Sequence, residues 1–252
     1  MHIMKKKIIS LCLIVALAAT AIVGGTLAYF TDVDKADNVF TTGNVDIILN
    51  ENFGDNNPNT PEKLLPAVGS AQAGTLKNGI TKEVSVINDG TEACYVRVHI
   101  AIPSILDDGA DTFNAGNNKL HFNFAEDSVG EGKWNWSKSV GAPYTGDWNY
   151  YTTTVDGISY NVYVVTYEEA LPAHDGTTYY CTEDAIHQVY LDSRTTNDDI
   201  DAYIEALGEN WHILVVAEGA QAAGFDDAYT ALNTAFGVPG SYTVDFTGAE
   251  KG

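Results

Sequence analysis

Hydrophobic and polar residues alternate along most of this chain, which is the pattern of β-strands that bury one face. In residues 94–102, three aliphatic side chains share one face, and Tyr95, Arg97 and His99 share the other. The Asp156-Gly157 pair predicts a hairpin, because these residues readily take positive φ in a tight turn. Further strands are predicted at residues 45–50, 79–88, 120–124, 133–137, 148–155, 158–167, 177–181, and 211–217.

Helical spacing appears only in the last third of the chain. Residues 198–207 predict a short helix that ends at Gly208, and apolar residues of 225–236 recur at helical spacing before Gly237. Residues 242–246 alternate once more and predict a final strand. Many short strands separated by turns predict a mainly β protein, a jelly-roll-like antiparallel sandwich with a few short helices inserted towards the C-terminus.

The N-terminus has the three parts of a secretory signal peptide. Three lysines at positions 5–7 precede the apolar run of residues 8–23, and small residues follow as far as Ala28. Cleavage after Ala28 would make Tyr29 the first residue of the exported chain. The apolar run has 16 residues, fewer than the roughly 20 of a membrane-spanning helix. The alternative is an anchor that is retained in the membrane.

This interpretation divides the chain into three parts. Residues 1–28 form the signal peptide, and residues 29–40 form a polar and aromatic segment that we expect to be extended. Residues 41–252 form a single jelly-roll-like domain. The predicted protein is secreted, and it contacts a membrane only through the uncleaved signal.

The charge of the chain argues against binding to nucleic acid. The sequence has 13 basic and 34 acidic residues, and three of the basic residues lie in the signal, which contains no acidic residue. A surface this acidic repels phosphate backbones. Of the three cysteines, Cys94 and Cys181 would remain after cleavage. Either a disulfide between them or two separate thiols is consistent with the sequence.

The sequence lacks the local motifs of common hydrolases. It contains no HExxH and no GxSxG, and its five later histidines are widely separated. We therefore predict a protein that is not an enzyme and has no catalytic residue or cofactor, although distant strands could still assemble a zinc site. Asp107, Asp108 and Asp111 surround a glycine in one polar loop, and these oxygen ligands make a weak calcium candidate.

Three stretches resemble the TasA/camelysin family of exported proteins. The most specific is residues 24–50, GGTLAYFTDVDKADNVFTTGNVDIILN. The second is residues 82–98, in which an Asn-Asp-Gly turn precedes Tyr-Val-Arg-Val. The third is residues 216–236, VAEGAQAAGFDDAYTALNTAF. The resemblance implies cleavage between Ala28 and Tyr29 by a SipW-type signal peptidase.

The resemblance also implies a function and a mode of assembly. Members of this kind act as fibre subunits in the biofilm matrix or on the cell surface. They polymerise with copies of themselves, with or without an accessory assembly protein, by donating an N-terminal strand to the next subunit. The expected donor residues in this chain are Tyr29, Phe30, Thr31, Val33 and Phe40.

Two other functions are left open. One is a camelysin-like secreted metallopeptidase, since some members of the family are described as such. The other is a monomeric surface adhesin or carbohydrate-binding module, in which exposed aromatic side chains would stack on sugars. The candidate residues for stacking are Trp134, Trp136, Trp148 and Tyr150.

Overall fold

Twelve strands and two α-helices occur in the part of the chain that the computed structural model describes, which comprises residues 31–34, 44–53, 64–67, 79–107, 119–123, 133–135, 150–208 and 211–249. The strands are β1 (Thr31–Asp34), β2 (Ile47–Phe53), β3 (Pro66–Ala67), β4 (Ile80–Asn88), β5 (Cys94–Pro103), β6 (Leu120–Asn123), β7 (Trp134–Asn135), β8 (Tyr150–Val155), β9 (Ile158–Leu171), β10 (Tyr180–Cys181), β11 (Gln188–Asp192) and β12 (Leu214–Gln221). The helices are α1 (Asn197–Leu207) and α2 (Ala228–Ala235). A 3-10 turn, Ser104–Leu106, follows β5.

The strands form two six-stranded sheets. In sheet I the order is β1-β12-β5-β9-β7, and β8 also pairs with β9. In sheet II the order is β10-β4-β11-β3, with β2 paired to β4 and β6 paired to β11. Among the described pairs, all are antiparallel except β3 with β11. The mainly β class with late helices is therefore confirmed, while the jelly-roll topology stays a prediction.

The main core lies between the two sheets. Alternate residues of β5, β9 and β12 point from sheet I towards alternate residues of β2, β4 and β11 in sheet II, as the period-two pattern predicts. Its members include Val96, Val98, Ile100, Val165 and Val215 from sheet I and Ile47, Val84, Val86, Val189 and Leu191 from sheet II.

The opposite face of sheet I is also covered. Helix α2 packs on one end of this face through Ala231 and Leu232, and the segment after it packs on the other end through Val244 and Phe246. Both faces of β5, β9 and β12 are therefore buried. The prediction of a strand at residues 242–246 is wrong, because this segment buries its alternate side chains by lying on the face of the sheet and pairs with no described strand.

The hairpin turn and the end of the first helix follow the sequence prediction. Asp156 and Gly157 take φ of 50° and 83° between β8 and β9, and Gly208 ends α1. At the start of α1, Thr196 and Asp199 form a reciprocal capping box. At the start of α2, the carboxylate of Asp227 accepts from the backbone N–H of Thr230 at 2.8 Å.

Candidate functional site at the β12 edge

Strand β1 occupies the free edge of β12. The other edge of β12 pairs with β5 over eight residues, whereas β1 pairs over four: Thr31 with Ala220, Asp32 with Gly219, Val33 with Glu218, and Asp34 with Ala217. Of residues 29–40, Thr31–Asp34 form this strand, and the extended conformation of the whole segment stays a prediction. Tyr29, Phe30 and Phe40 lie outside the described residues, as do Ala28 and the rest of the predicted signal.

Gly219 allows sheet II to approach β12 closely at this edge. A Cβ atom on Gly219 would lie 2.9 Å from Cγ2 of Ile47, which is closer than side-chain carbons pack. Ile47 begins β2, and β2 is the next described strand after β1. The chain therefore passes from the edge of sheet I directly to sheet II, with residues 35–46 between the two strands.

A buried ion pair lies behind the edge. Glu218 of β12 is directly opposite Arg97 of β5, and its Oε2 accepts a hydrogen bond from Arg97 Nε at 2.6 Å. The Arg97 side chain is 0% exposed, and the Glu218 side chain is 2% exposed. Removal of either partner would leave an uncompensated charge in the interior.

The remaining donors of Arg97 reach the layer that covers sheet I. They donate to Oδ1 of Asn233 at 2.9 Å, to the carbonyl of Gly237 at 3.1 Å and to the hydroxyl of Tyr242 at 2.6 Å. The guanidinium also lies 5.6 Å from the ring centroid of Phe236. Arg97 thus ties β5 to α2 and to the segment that follows it.

His99 completes the cluster. Its Nε2 lies 3.1 Å from Oε2 of Glu218, and its Nδ1 lies 3.1 Å from the hydroxyl of Tyr151 in β8. The Tyr242 hydroxyl donates to the Glu218 carboxylate at 2.7 Å. We call Arg97, His99, Tyr151, Glu218 and Tyr242 the β12 cluster.

Burial and charge together determine the protonation of this cluster. Burial lowers the pKa of His99 by more than the Glu218 carboxylate raises it, so the imidazole is neutral near pH 7. For Glu218, burial raises the pKa, but the charges and hydrogen bonds of His99, Arg97 and Tyr242 lower it more, to about 2. Burial raises the pKa of both tyrosines. Near pH 7 the cluster therefore holds one carboxylate against one guanidinium.

Sequence analysis did not predict this cluster, although it placed Arg97 and His99 on the shared face correctly. Two features of the sequence point to the cluster. Arg97 and His99 interrupt one aliphatic strand, and Glu218 interrupts another. The strand predicted at residues 211–217 in fact extends over Leu214–Gln221. It continues through Glu218 because Arg97 compensates the carboxylate.

The other predicted site residues are separate from this edge. Asp107 is buried, and its Oδ2 accepts from Asn161 Nδ2 at 2.9 Å and from the Tyr163 hydroxyl at 2.7 Å. Asp108 and Asp111 lie outside the described residues, so the calcium site stays a prediction. Cys94 is buried and Cys181 is exposed, and no disulfide joins them in the structure.

Trp134 does not fit a sugar-stacking surface. Its side chain is buried, and its Nε1 donates to the carbonyl of Glu183 at 2.7 Å. Trp136 and Trp148 lie outside the described residues, and Tyr150 begins β8. The carbohydrate-binding alternative therefore loses one of its four candidate residues.

The described residues contain neither a candidate metal site nor a candidate membrane-spanning helix. Within those ranges, no group of three or more His, Cys, Asp or Glu side chains is arranged to hold a metal ion. Histidines pair singly with carboxylates instead, as His121 does with Asp192 at 2.9 Å. No helix in the same ranges is long and apolar enough to span a membrane.

These features define a class: a mainly β protein of two packed sheets, with its N-terminal strand at the outer edge of one sheet. Residues 3–59, which include β1 and β2, match the family model described as camelysin metallo-endopeptidase. The match, over 57 of the 252 residues, supports the resemblance of residues 24–50 to the TasA/camelysin family. No curated protein and no solved structure matches this chain.

Proposed function

We propose that this chain is an exported structural subunit that assembles with copies of itself by exchanging β1 between subunits. The observation that carries the proposal is the position of β1, which occupies the outermost place in sheet I and pairs with β12 over four residues. A sheet edge offers a row of backbone N–H and C=O groups that an extended segment of any chain can satisfy.

The same ladder can form within one chain or between two. Whether β1 comes from the same subunit or from a neighbour, the backbone pairs with β12 are identical, so exchange loses no ladder hydrogen bonds. The twelve residues between β1 and β2 can span up to roughly 40 Å when extended. The equilibrium between β1 paired within its own chain and β1 paired with a neighbouring chain then depends on two quantities. These are the protein concentration and the effective concentration of the tethered strand.

Exchange of this kind produces a filament. Each subunit offers one donor strand and one β12 edge, and these are different surfaces. Head-to-tail contacts between different surfaces continue indefinitely unless the rotation closes a ring. Export would start the process, because the predicted cut after Ala28 lies two residues before β1 and frees the strand at its N-terminal end.

A truncation tests the proposal. The exported chain, residues 29–252, should form filaments that are visible by electron microscopy. A chain lacking residues 29–37 retains every described element except β1, and should remain a folded monomer with unchanged near-ultraviolet circular dichroism. When mixed with the intact chain, it should shorten the filaments by capping their ends. Filaments formed by the truncated chain alone would refute β1 exchange.

A metallo-endopeptidase is the second candidate, because the matching family model is described as camelysin metallo-endopeptidase. Casein hydrolysis by the purified chain, abolished by a chelator and accompanied by one metal atom per chain, would support it. Under the structural proposal, the purified filaments hydrolyse no casein, whether or not zinc is added.

A further inference from the structure

A second buried ion pair lies far from the β12 cluster, in sheet II. Lys82 of β4 lies on the strand face that carries Ile80 and Val84, and this face points into the main core. Its Nζ is 3.0 Å from Oε2 of Glu51 in β2. Each side chain is only 6% exposed.

The register of the two strands holds these groups together. Lys82 is opposite Phe53 and Glu51 is opposite Val84, so Lys82 and Glu51 are diagonal neighbours on one face of an antiparallel pair. The Phe53 ring centroid lies 5.7 Å from Lys82 Nζ and adds an apolar wall. The strand register therefore keeps the Lys82 amine near the Glu51 carboxyl group even when the side chains rotate.

Glu51 is in an environment that favours a neutral acid. Its second oxygen, Oε1, is buried and has no hydrogen-bond partner among the described residues. Burial raises the pKa of Glu51, against the opposing charge and hydrogen bond of Lys82. A buried charge pair with an unsatisfied oxygen is costly, whereas an amide between the two side chains would bury no charge.

We propose that Lys82 and Glu51 condense into an intramolecular amide that joins β4 to β2. The Lys82 nitrogen attacks Cδ of Glu51, the new N–C bond forms, and one C–O bond of Glu51 breaks. The released oxygen leaves as water with two of the three protons of the ammonium group, so the step needs no oxidant and no co-reactant. Groups held in contact by a folded scaffold react with effective concentrations on the order of 10⁵ M or more, which favours condensation over hydrolysis.

The consequence is a covalent staple on the strand that follows β1. β2 pairs with β4 and lies next along the chain from β1. Tension on β1 would reach β2 first, and the amide at Glu51 would keep β2 joined to β4 even if the ladder pairs of Ile47–Asn50 separated. The cross-link itself does not depend on strand exchange and would be present in the monomer.

Mass spectrometry of the exported chain tests this inference. The intact mass should be lower than the sequence mass by one water, and trypsin should fail to cleave after Lys82, leaving peptides from β2 and β4 joined. K82R and E51A should each show the full mass of their own sequence. The exposed pair Lys119–Asp199, at 3.6 Å, is an internal control that should stay uncondensed in the same digest.

The wild-type chain alone decides the outcome, so a failure of either variant to fold does not affect it. A wild-type mass equal to the sequence mass, both on purification and after days at room temperature, would overturn the inference. So would a loss of water mapped to any other pair of residues.

Discussion

Arg97 and His99 are each fully buried in the middle of β5, although both residue types usually lie at the surface. Glu218 accounts for both, because one carboxylate contacts the guanidinium and the imidazole together. Tyr242 and Asn233 then satisfy the remaining donors of Arg97. The cluster joins β5 and β12 to the layer that covers them, and β12 carries β1 on its other edge.

Substitution of Glu218 tests how strongly this cluster supports the fold. In E218A, Arg97 would be left as an uncompensated buried charge, which costs about 3–5 kcal/mol in similar cases. We expect the free energy of unfolding, from urea denaturation of the monomer, to fall by that amount. The matched control is E205A on the exposed face of α1, which should change the same quantity by less than about 0.5 kcal/mol.

The buried imidazole also predicts a pH dependence. His99 has a lowered pKa in the folded chain and an ordinary pKa near 6.5 when unfolded, so below that pH the unfolded state takes up a proton that the folded state does not. Stability should therefore be complete above pH 6.5 and should fall below it. Glu218, with a pKa of about 2 against 4.5, adds a further loss below pH 4.5. His99 faces Glu218, Arg97, Tyr151 and Tyr242.

The variant H99Q tests the contribution of the imidazole. It should abolish the part of the decline below pH 6.5 that the wild type owes to this residue, and it should reduce the Glu218 decline below pH 4.5, because His99 is the partner that lowers the pKa of Glu218 most. Urea denaturation of both proteins across the range measures the difference, and the other histidines cancel in the comparison. Superimposable profiles would show that His99 is not buried as a neutral base.

Sequence patterns predict the faces of β5 correctly but not the partners of the buried polar groups. The alternation of Arg97 and His99 with aliphatic residues is visible in the sequence, whereas Glu218 lies 121 positions away from Arg97. No local rule connects residues at that separation. Lys82 and Glu51 are a further case, since both look like ordinary solvated charges in alternating strands.

At the scale of elements, strand type was predictable and strand ends were less so. β4, β5, and the β8–β9 hairpin follow their alternation and turn signals closely. β12 runs past the predicted end at residue 217 because an ion pair stabilises its polar half. Residues 242–246 alternate as a strand does. They lie on the face of sheet I, however, and pair with no described strand.

The short ladder of β1 makes this strand sensitive to a backbone change. In V33P, the proline removes a backbone N–H and restricts φ in the middle of the four-residue strand. We expect this variant to stay monomeric at concentrations at which the wild type polymerises, by sedimentation velocity. V33I retains a β-branched side chain and should polymerise as the wild type does. Equal polymerisation of V33P and V33I would mean that β1 makes no contact between subunits.

The whole molecule combines a rigid double-sided sheet with a weakly held edge strand. β5, β9 and β12 are buried on both faces, so the β12 edge is held in a fixed position. β1 adds four residue pairs to that edge. This contrast is what the proposed assembly requires, because the receiving edge must persist while the donated strand detaches. The acidic surface, with 34 acidic and 13 basic residues in the full chain, opposes association except where the ladder outweighs repulsion.

Paired cysteines test strand exchange most directly. Thr31 and Ala220 are opposite each other in the ladder, and residues so placed in antiparallel strands lie close enough for a disulfide. The test protein carries T31C and A220C and lacks the native thiols through C94A and C181S. Filaments of this protein, oxidised and run on a non-reducing denaturing gel, should give a ladder of covalent multimers, and the monomer should give only intrachain disulfides. Filaments that yield only monomeric, intrachain-linked protein would contradict the exchange of β1 between subunits.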